Sequence, residues 1–285
     1  MDSGCRALGE RPYENGLAGR TNPEIGSCET FVAAPEGEEL KIVHLYPQLL
    51  NLYGDGGNVC VLANRARWRG LRVEVETIDL GQVINLSDAD IVFLGGGPDR
   101  EQSLASRELI AQAGVLRKYV EDDGVLLAIC GGFQILGREW IMGGEAIAGL
   151  GILDAVTKRA DGNARNRLVG NIALTSPLAT MPVIGYENHA GRTYLGSGCL
   201  PFGSVSGKHG YGNNDGDRAD GALYRNVVGT YLHGPLLAKN PEVADALIER
   251  ALARRAAKEG RPAPTLAPLD DTAERAANEF MRVRL

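Results

Sequence analysis

A cysteine ends an apolar segment of strand length and is followed at once by two glycines. The segment is Val125–Ile129, and Cys130, Gly131 and Gly132 come directly after it. A side chain at such a strand-to-helix turn lies at the carboxyl edge of a sheet, where open α/β folds bind their ligands. The start of a helix favours thiolate over thiol. The pattern is the cysteine counterpart of the G-x-S-x-G nucleophile elbow and indicates attack on an acyl carbon.

The alternative for Cys130 is an inert, buried cysteine, which is the common state of this residue type. The glycine pair and the polar Gln134, in an otherwise apolar helix start, favour the nucleophile. A nucleophilic cysteine also needs a base, and a histidine at the end of another strand would supply it.

Two of the four histidines are candidates for that base. His233 ends the apolar segment Val227–Leu232 and so projects at a strand end, although a surface histidine in a turn is the alternative. His189 lies in a polar segment that could also serve a site. His44 is expected within a strand, and His209 lies in a glycine-rich loop.

A run of three glycines, Gly95–Gly97, follows the buried segment Ala89–Leu94. This strand should neighbour the one that ends at Cys130, so the backbone N–H groups of the run could join that of Gly131 in an oxyanion hole. A plain tight turn is the alternative. No Gly-Lys-Ser/Thr follows, so the run is not a Walker A phosphate loop.

Composition narrows the class of protein. The chain has 285 residues, of which 44% are hydrophobic and 23% charged, as in ordinary globular proteins. A net charge of −6 without a basic stripe argues against nucleic acid as a partner. The apolar runs are too short to span a bilayer. The five cysteines form an odd set without C-x-x-C spacing, which indicates free thiols in a reducing cytoplasm.

Strands and helices alternate from Leu40 to Gly149, which predicts a parallel, doubly wound sheet. One long helix is expected over residues 103–121. After Gly149, short strands joined by Gly- and Asn-rich turns predict a more antiparallel second half on the same sheet. Residues 1–38 have no apolar periodicity and are predicted to form a disordered arm without a secretory signal.

Several motifs resemble those of class I glutamine amidotransferases of the cobyric-acid-synthase-like branch, and within it the GatD-type glutaminase subunits of lipid II isoglutaminyl synthases. The resemblance covers about residues 40–260. It rests on the segments Leu52–Asn58, Gly95–Gln102, Cys130–Gln134, Asn166–Gly170, Glu187–Tyr194, Tyr211–Asn214 and Tyr231–Pro235. It implies a flavodoxin-like, mixed but mostly parallel sheet with helices on both faces. The domains would be the arm, an amidotransferase domain over 39–260 and a helical tail over 261–285.

The resemblance also implies residue roles. Cys130 would attack the side-chain amide of glutamine, and His233 would deprotonate the thiol and protonate the departing ammonia. Arg167 would hold the glutamine carboxylate, which suits a forked guanidinium, and Gln134 would line the pocket. The backbone N–H groups of the oxyanion hole would come from Gly96, Gly97 and Gly131.

The residue two positions after His233 differs from the one typical of the wider superfamily. Many class I enzymes carry a glutamate two residues after the catalytic histidine, and here that position is Pro235. The site is then either a Cys-His dyad or a triad completed by another acid, for which Glu187, Asp99 and Asp55 are the alternatives.

By the same resemblance, the chain is a cytoplasmic subunit of a heterodimer in peptidoglycan synthesis. It would hydrolyse L-glutamine and pass ammonia to a MurT-like subunit of the Mur-ligase family, which converts the D-glutamate of lipid II to D-isoglutamine. ATP and Mg²⁺ are expected in that partner, and no cofactor or metal in this chain. The alternatives are a cobyrinate or cobyric acid amidotransferase, a peptidase-like α/β protein with the same elbow, and a degenerate binding module.

Overall fold

The main sheet combines four strands from the first half of the chain with two from the second. The computed structural model describes residues 38–142, 145–159, 167–214 and 216–285. The sheet is ordered β13-β14-β4-β3-β1-β2, and every neighbouring pair is parallel except β13-β14. Its strands are β1 (Glu39–Leu45), β2 (Arg72–Ile78), β3 (Ile91–Leu94), β4 (Val125–Ile129), β13 (Ala222–Tyr224) and β14 (Val227–Thr230).

Helices cover both faces of this sheet. The described residues form α1 (Gly57–Arg67), α2 (Asp99–Ala111), α3 (Ala113–Glu121), α4 (Gly131–Leu136), α5 (Pro241–Lys258) and α6 (Thr272–Arg282). The β1-α1-β2 and β3-α2-α3-β4 connections run in opposite directions along the sheet. Because parallel crossovers are right-handed, their helices lie on opposite faces. The predicted fold class is confirmed.

The reversal of direction between β1 and β3 creates a topological switch point, which is where doubly wound sheets bind ligands. The neighbouring strands β3 and β4 are completely buried, as their continuous apolar sequences require in a sheet covered on both faces. Four strands of the sheet therefore deliver their following loops to one edge, and these loops contain the candidate residues Asp55, Gly96, Cys130 and His233.

The prediction that the second half extends the same sheet is wrong. Of the later strands that the structure describes, β13 and β14 join it, and the others form two separate sheets ordered β10-β7-β5-β6 and β12-β11-β8-β9. The strands of these sheets are β5 (Glu139–Met142), β6 (Glu145–Ala148), β7 (Ala155–Arg159), β8 (Leu168–Thr175), β9 (Val183–His189), β10 (Gly191–Leu195), β11 (Gly203–Val205) and β12 (Ala219–Asp220). Strands close in sequence pair as antiparallel hairpins, such as β8 with β9, instead of continuing the main sheet.

The predicted single helix over 103–121 is two helices, because the backbone leaves helical geometry at Gln112 (φ −114°). The tail helix α6 packs on the domain through Asn278, whose Nδ2 donates to the carbonyls of Pro182 and Lys239. The predicted disordered arm lies outside the described residues except for residue 38. No helix in the described ranges is long and apolar enough to cross a membrane.

Candidate active site

Cys130 occupies a sharp turn between β4 and α4. Its backbone lies at φ 49° and ψ −103°, a conformation that non-glycine residues rarely adopt. The turn is held on both sides, because the Cys130 N–H donates to the Thr230 carbonyl at 2.8 Å and the Cys130 carbonyl accepts from Gln134 N–H at 3.0 Å. The surrounding structure thus maintains the strained turn that the elbow pattern predicted.

Glycine is required directly after this cysteine by close packing. A Cβ atom on Gly132 would lie 2.6 Å from the Leu94 carbonyl oxygen, so α4 could not approach β3 with a larger residue there. A Cβ atom on Gly131 would lie 3.3 Å from the backbone nitrogen of Gly97, so the Gly95–Gly97 loop packs against the first residue of α4. Among the described residues, neither the Gly97 N–H nor the Gly131 N–H donates a hydrogen bond to a backbone or side-chain acceptor.

His233 and Asp55 form a buried pair beside Cys130. Nδ1 of His233 lies 2.9 Å from Oδ1 of Asp55, and both side chains are inaccessible to solvent. Asp55 follows β1, whereas His233 follows β14 and is bridged by backbone hydrogen bonds to Tyr186 in β9. Of the three acids left open by the sequence, the structure therefore places Asp55 against the histidine.

The three side chains surround Gly96. A Cβ atom on this glycine would lie 3.0 Å from Cβ of Cys130, 3.2 Å from Oδ2 of Asp55 and 3.3 Å from Cε1 of His233. The Gly96 N–H donates to Oδ2 of Asp55 at 3.0 Å. This contradicts the expectation that Gly96 belongs to the oxyanion hole, because its single N–H already binds the carboxylate. Gly97 and Gly131 remain as candidate donors.

The environment of His233 favours its protonated form. Burial lowers the pKa of the imidazole, but the hydrogen bond to Asp55 and the charge interactions with Cys130 and Asp55 outweigh burial and raise the pKa to about 10. Nε2, the ring nitrogen that is not bonded to Asp55, is buried and has no hydrogen-bond partner among the described residues. An imidazole held in this way can exchange a proton with the neighbouring sulfur.

A cavity of about 340 Å³ opens beside Cys130, at the lower end of the size range of small-molecule sites. Arg167 lies on its wall, and its guanidinium donates from Nε to Oδ1 of Asn188 at 2.7 Å and from Nη2 to the Asn188 carbonyl at 2.8 Å. These bonds use two of its five N–H groups. The other lining residues are Leu52, Gly97, Pro98, Asp99, Gln102, Gln134, Trp140, Ile141, Thr157, Arg159, Asn188, His189, Ala190 and Gly191.

Gln134 also lies on the cavity wall, in the middle of a chain of hydrogen bonds. Its Oε1 accepts from Nε2 of Gln102 at 2.8 Å, and its own Nε2 donates to the Tyr231 hydroxyl at 3.0 Å. The Tyr231 hydroxyl is 2.6 Å from Oγ1 of Thr193. The chain fixes the amide orientation, and one N–H of Gln134 has no partner among the described residues.

A family model decides what this arrangement belongs to. Residues 41–241 match the CobB/CobQ-like glutamine amidotransferase domain. The chain belongs to this glutamine amidotransferase family. The matched residues of the amidotransferase include every strand of the main sheet except the first two residues of β1, and they include Asp55, Cys130 and His233.

Individual relatives of the amidotransferase differ in how completely they match. The lipid II isoglutaminyl synthase (glutamine-hydrolyzing) subunit GatD of Staphylococcus aureus is 44% identical over 218 residues, which cover 76% of this chain and 86% of that protein. A cobyric acid synthase of Pelotomaculum thermopropionicum is 31% identical over 245 residues, which cover 81% of this chain but 44% of that protein. The solved structure of PurLQS from Thermotoga maritima has a TM-score of 0.52 at 17% identity, covers 75% of this chain and 97% of its own, and supports the fold alone.

In the amidotransferase, the other sequence candidates for the base and the acid have other partners. The ring of His189 stacks on Tyr231 at 3.6 Å, and its Nδ1 is 2.8 Å from the Gly191 carbonyl oxygen. Burial lowers the pKa of His189, so the ring is neutral. Glu187 is buried and accepts from the Tyr211 and Gly212 N–H groups. Asp99 lies at the cavity wall, 3.7 Å from Arg159.

Three residues of the amidotransferase site had no catalytic or substrate-binding role in the sequence interpretation. Gln102, Asn188 and Tyr53 each make side-chain hydrogen bonds to other residues of the site region. All three occur in segments that carry the family resemblance, and this was the signal in the sequence that could have identified them. A further cleft of about 830 Å³, lined by residues that precede β3 and β4 and by parts of α3 and α5, contains neither cysteine nor histidine.

Proposed function

We propose that this chain is a glutaminase subunit that hydrolyses L-glutamine to glutamate and ammonia through a cysteine thioester. The observation that carries the proposal is the convergence of Cys130, His233 and Asp55 around Gly96. A nucleophile, a base and a carboxylate that orients the base are the three parts of a triad, recognised by geometry and not by sequence order.

The first half-reaction forms the thioester. His233 holds the proton taken from the thiol, and the thiolate sulfur of Cys130 attacks the side-chain amide carbon of glutamine. The carbonyl oxygen becomes an oxyanion that accepts hydrogen bonds from the N–H groups of Gly97 and Gly131. When the tetrahedral intermediate collapses, the C–N bond breaks and the His233 imidazolium protonates the nitrogen, which departs as ammonia.

The second half-reaction releases glutamate. A water molecule gives a proton to His233 and attacks the thioester carbon. The C–S bond then breaks, glutamate is released, and His233 returns the proton to the sulfur of Cys130. Asp55 stabilises the imidazolium in both halves and stays ionised. The bond between Gly96 and Asp55 keeps this carboxylate in place.

The cavity beside Cys130 suits the α-amino acid end of glutamine. Among the described residues, the bonds with Asn188 leave three N–H groups of Arg167 available, enough to hold a carboxylate through a bidentate pair. Gln134 retains one N–H that can orient the substrate. We assign no cofactor to the subunit; among the described residues no group of three or more His, Cys, Asp or Glu could hold a metal ion.

The ammonia would be used by a second subunit. By similarity to the S. aureus GatD subunit, we propose a MurT-like partner of the Mur-ligase family that uses ATP and Mg²⁺ to activate the D-glutamate carboxylate of lipid II. The heterodimer would act in the cytoplasm, where ATP is available and free thiols such as Cys60 stay reduced. Lipid II would contact the partner and not this chain.

Reconstitution with that ligase tests the proposal. The complex should amidate lipid II with glutamine and ATP, and the complex with Cys130→Ala should amidate it only when free ammonium replaces glutamine. This variant separates ammonia production from ammonia use. A wild-type complex that responds to ammonium but not to glutamine would contradict the proposal.

The cobyric acid synthase similarity supplies the competing candidate. The two candidates are distinguished by the nitrogen acceptor that the reconstituted complex uses. A cobyrinate amidotransferase would transfer glutamine nitrogen to a corrinoid carboxylate and leave lipid II unchanged. Coverage of 44% of that relative, against 86% of the GatD subunit, favours lipid II.

A further inference from the structure

Tyr53 is an exposed residue in the loop that carries Asp55. It lies in a short 3-10 turn, Leu52–Gly54, with a left-handed backbone at φ 58° and ψ 22°. Such a conformation persists in a non-glycine residue only where the surroundings enforce it, and it is common at functional sites. The side chain is 45% exposed, yet it contacts the rings of His233 and Tyr186 and, through its hydroxyl, Asn188. Two of these contacts reach the candidate active site. The mechanism above gives it no part.

The first contact is with His233. The two rings meet edge to face, with centroids 4.9 Å apart and an angle of 68° between their planes. The Tyr53 ring therefore lies between solvent and the imidazole that Asp55 holds. An apolar cover at this position keeps water away from the Asp55–His233 hydrogen bond, and charge interactions are stronger where water is excluded.

The second contact leads to the substrate cavity. The Tyr53 hydroxyl accepts a hydrogen bond from Nδ2 of Asn188 at 2.6 Å. The same Asn188 accepts from Arg167 through Oδ1 and through its backbone carbonyl. The hydroxyl thus fixes the side-chain amide of Asn188 in the orientation in which its oxygen faces the guanidinium.

We propose that Tyr53 is a positioning residue that couples carboxylate binding at Arg167 to the orientation of His233. Its hydroxyl acts through Asn188 on the guanidinium, and its ring acts directly on the imidazole. The two halves of one side chain therefore serve the two ends of glutamine, the α-carboxylate and the reacting amide. This inference rests on the proposed roles of Arg167 and His233.

Inactivation by diazo-oxo-norleucine tests it on the full-length chain. This glutamine analogue carries the α-carboxylate and alkylates the cysteine. KI therefore reports how tightly the carboxylate is bound, and kinact reports the rate of the chemistry at Cys130. Tyr53→Phe keeps the ring and should raise KI about fivefold, the effect of one lost hydrogen bond, with kinact unchanged. Tyr53→Leu should raise KI similarly and also lower kinact and shift its pH profile.

Two controls make the result specific. Tyr194→Phe removes a hydroxyl from a tyrosine of similar exposure, 48%, that does not line the cavity, and it should change neither constant. Iodoacetamide has no carboxylate, so its rate of reaction with Cys130 should be the same in wild type and Tyr53→Phe. This rate, measured on the same samples, also verifies that the site is folded.

The coupling itself is tested in an Asn188→Ala background. Tyr53→Phe should raise KI no further there, because its route to Arg167 is already broken. An unchanged KI in Tyr53→Phe, or an equally large increase in both backgrounds, would overturn the inference. Failure of the proposed function would look different, since the wild-type chain would then not be labelled on Cys130 by the glutamine analogue at all.

Discussion

Oδ1 of Asp55 lies 2.9 Å from Nδ1 of His233, although the two residues are 178 positions apart in the chain. The other carboxylate oxygen accepts from the Gly96 N–H at 3.0 Å. One side chain thus orients the imidazole and anchors the loop that would otherwise offer a third oxyanion donor. This double role explains how the site can function with Pro235 where the wider superfamily carries a glutamate.

Replacing Asp55 by asparagine should show its importance. The asparagine oxygen can still accept from Gly96, but the amide then presents N–H groups to Nδ1 of His233 and stabilises the wrong tautomer. In a serine protease triad the equivalent change lowers kcat about 10⁴-fold, and we expect a loss of at least about 100-fold in kcat/KM for glutamine hydrolysis.

Asp99→Asn is the matched control for this substitution. Asp99 lies on the same cavity but pairs with Arg159 and not with the histidine. It should retain activity within about threefold of wild type, the usual scale of an exposed ion pair. Equal losses from the two substitutions, measured by glutamate release, would show that Asp55 is not the orienting acid.

The two ends of the catalytic arrangement could be predicted from the sequence because their signals are local. Cys130 and His233 each follow an apolar strand and precede glycine, and a strand end in a parallel sheet has a known location. Asp55 has no such signal, since an aspartate among glycines is equally typical of an ordinary turn. Its selection over Glu187 and Asp99 needs the tertiary contact itself.

The fold, like the site, could be predicted from the sequence only in part. Alternating strands and helices specified the parallel part of the sheet, because crossovers of this kind are restricted in handedness and connection. Which sheet the later strands join was not predictable, since a strand such as β8 has the same local pattern whether it pairs with β9 or with the main sheet. The interruption at Gln112 was also missed, although Gly114 follows it closely.

Matched substitutions of two histidines test the assignment of the base. His233→Gln should lower kcat by about 10²- to 10⁴-fold at neutral pH, the usual range for loss of a general base. His189→Gln should be much milder, because that ring stacks on Tyr231 and its Nδ1 is paired with the Gly191 carbonyl. A larger loss of kcat from His189→Gln than from His233→Gln in a steady-state glutaminase assay would show that His189 is the base.

Arg167→Lys should raise KM for glutamine about tenfold with little change in kcat. A lysine keeps the charge but loses the planar fork that binds Asn188 and a carboxylate together. Arg159→Lys is the informative comparison, because Arg159 lines the same cavity. A larger KM effect at Arg159 than at Arg167 would transfer the carboxylate-binding role to it.

Buried Asp220 should make stability depend on pH. Burial raises its pKa from 3.8 to about 7, and Oδ2 accepts from the Thr230 hydroxyl. Between these two pKa values the folded chain binds more protons than the unfolded chain, so the free energy of unfolding falls as pH rises, by up to ~1.4 kcal/mol per pH unit. Above the folded-state pKa this contribution is constant.

Urea unfolding across this pH range checks the prediction. Asp220→Asn should flatten the decline and leave the variant less dependent on pH than wild type, because the amide cannot ionise. Identical pH dependence in the two proteins would mean that Asp220 is ionised in the folded state at all of these pH values.

Covalent labelling shows whether Cys130 is the nucleophile of a glutamine-hydrolysing site. The full-length chain is treated with diazo-oxo-norleucine, and the adduct is located by peptide mapping while residual glutaminase activity is measured. We expect one adduct, on Cys130, formed in proportion to the loss of activity and prevented by excess glutamine. An adduct on Cys60 or Cys199, or complete loss of activity with Cys130 unmodified, would contradict it.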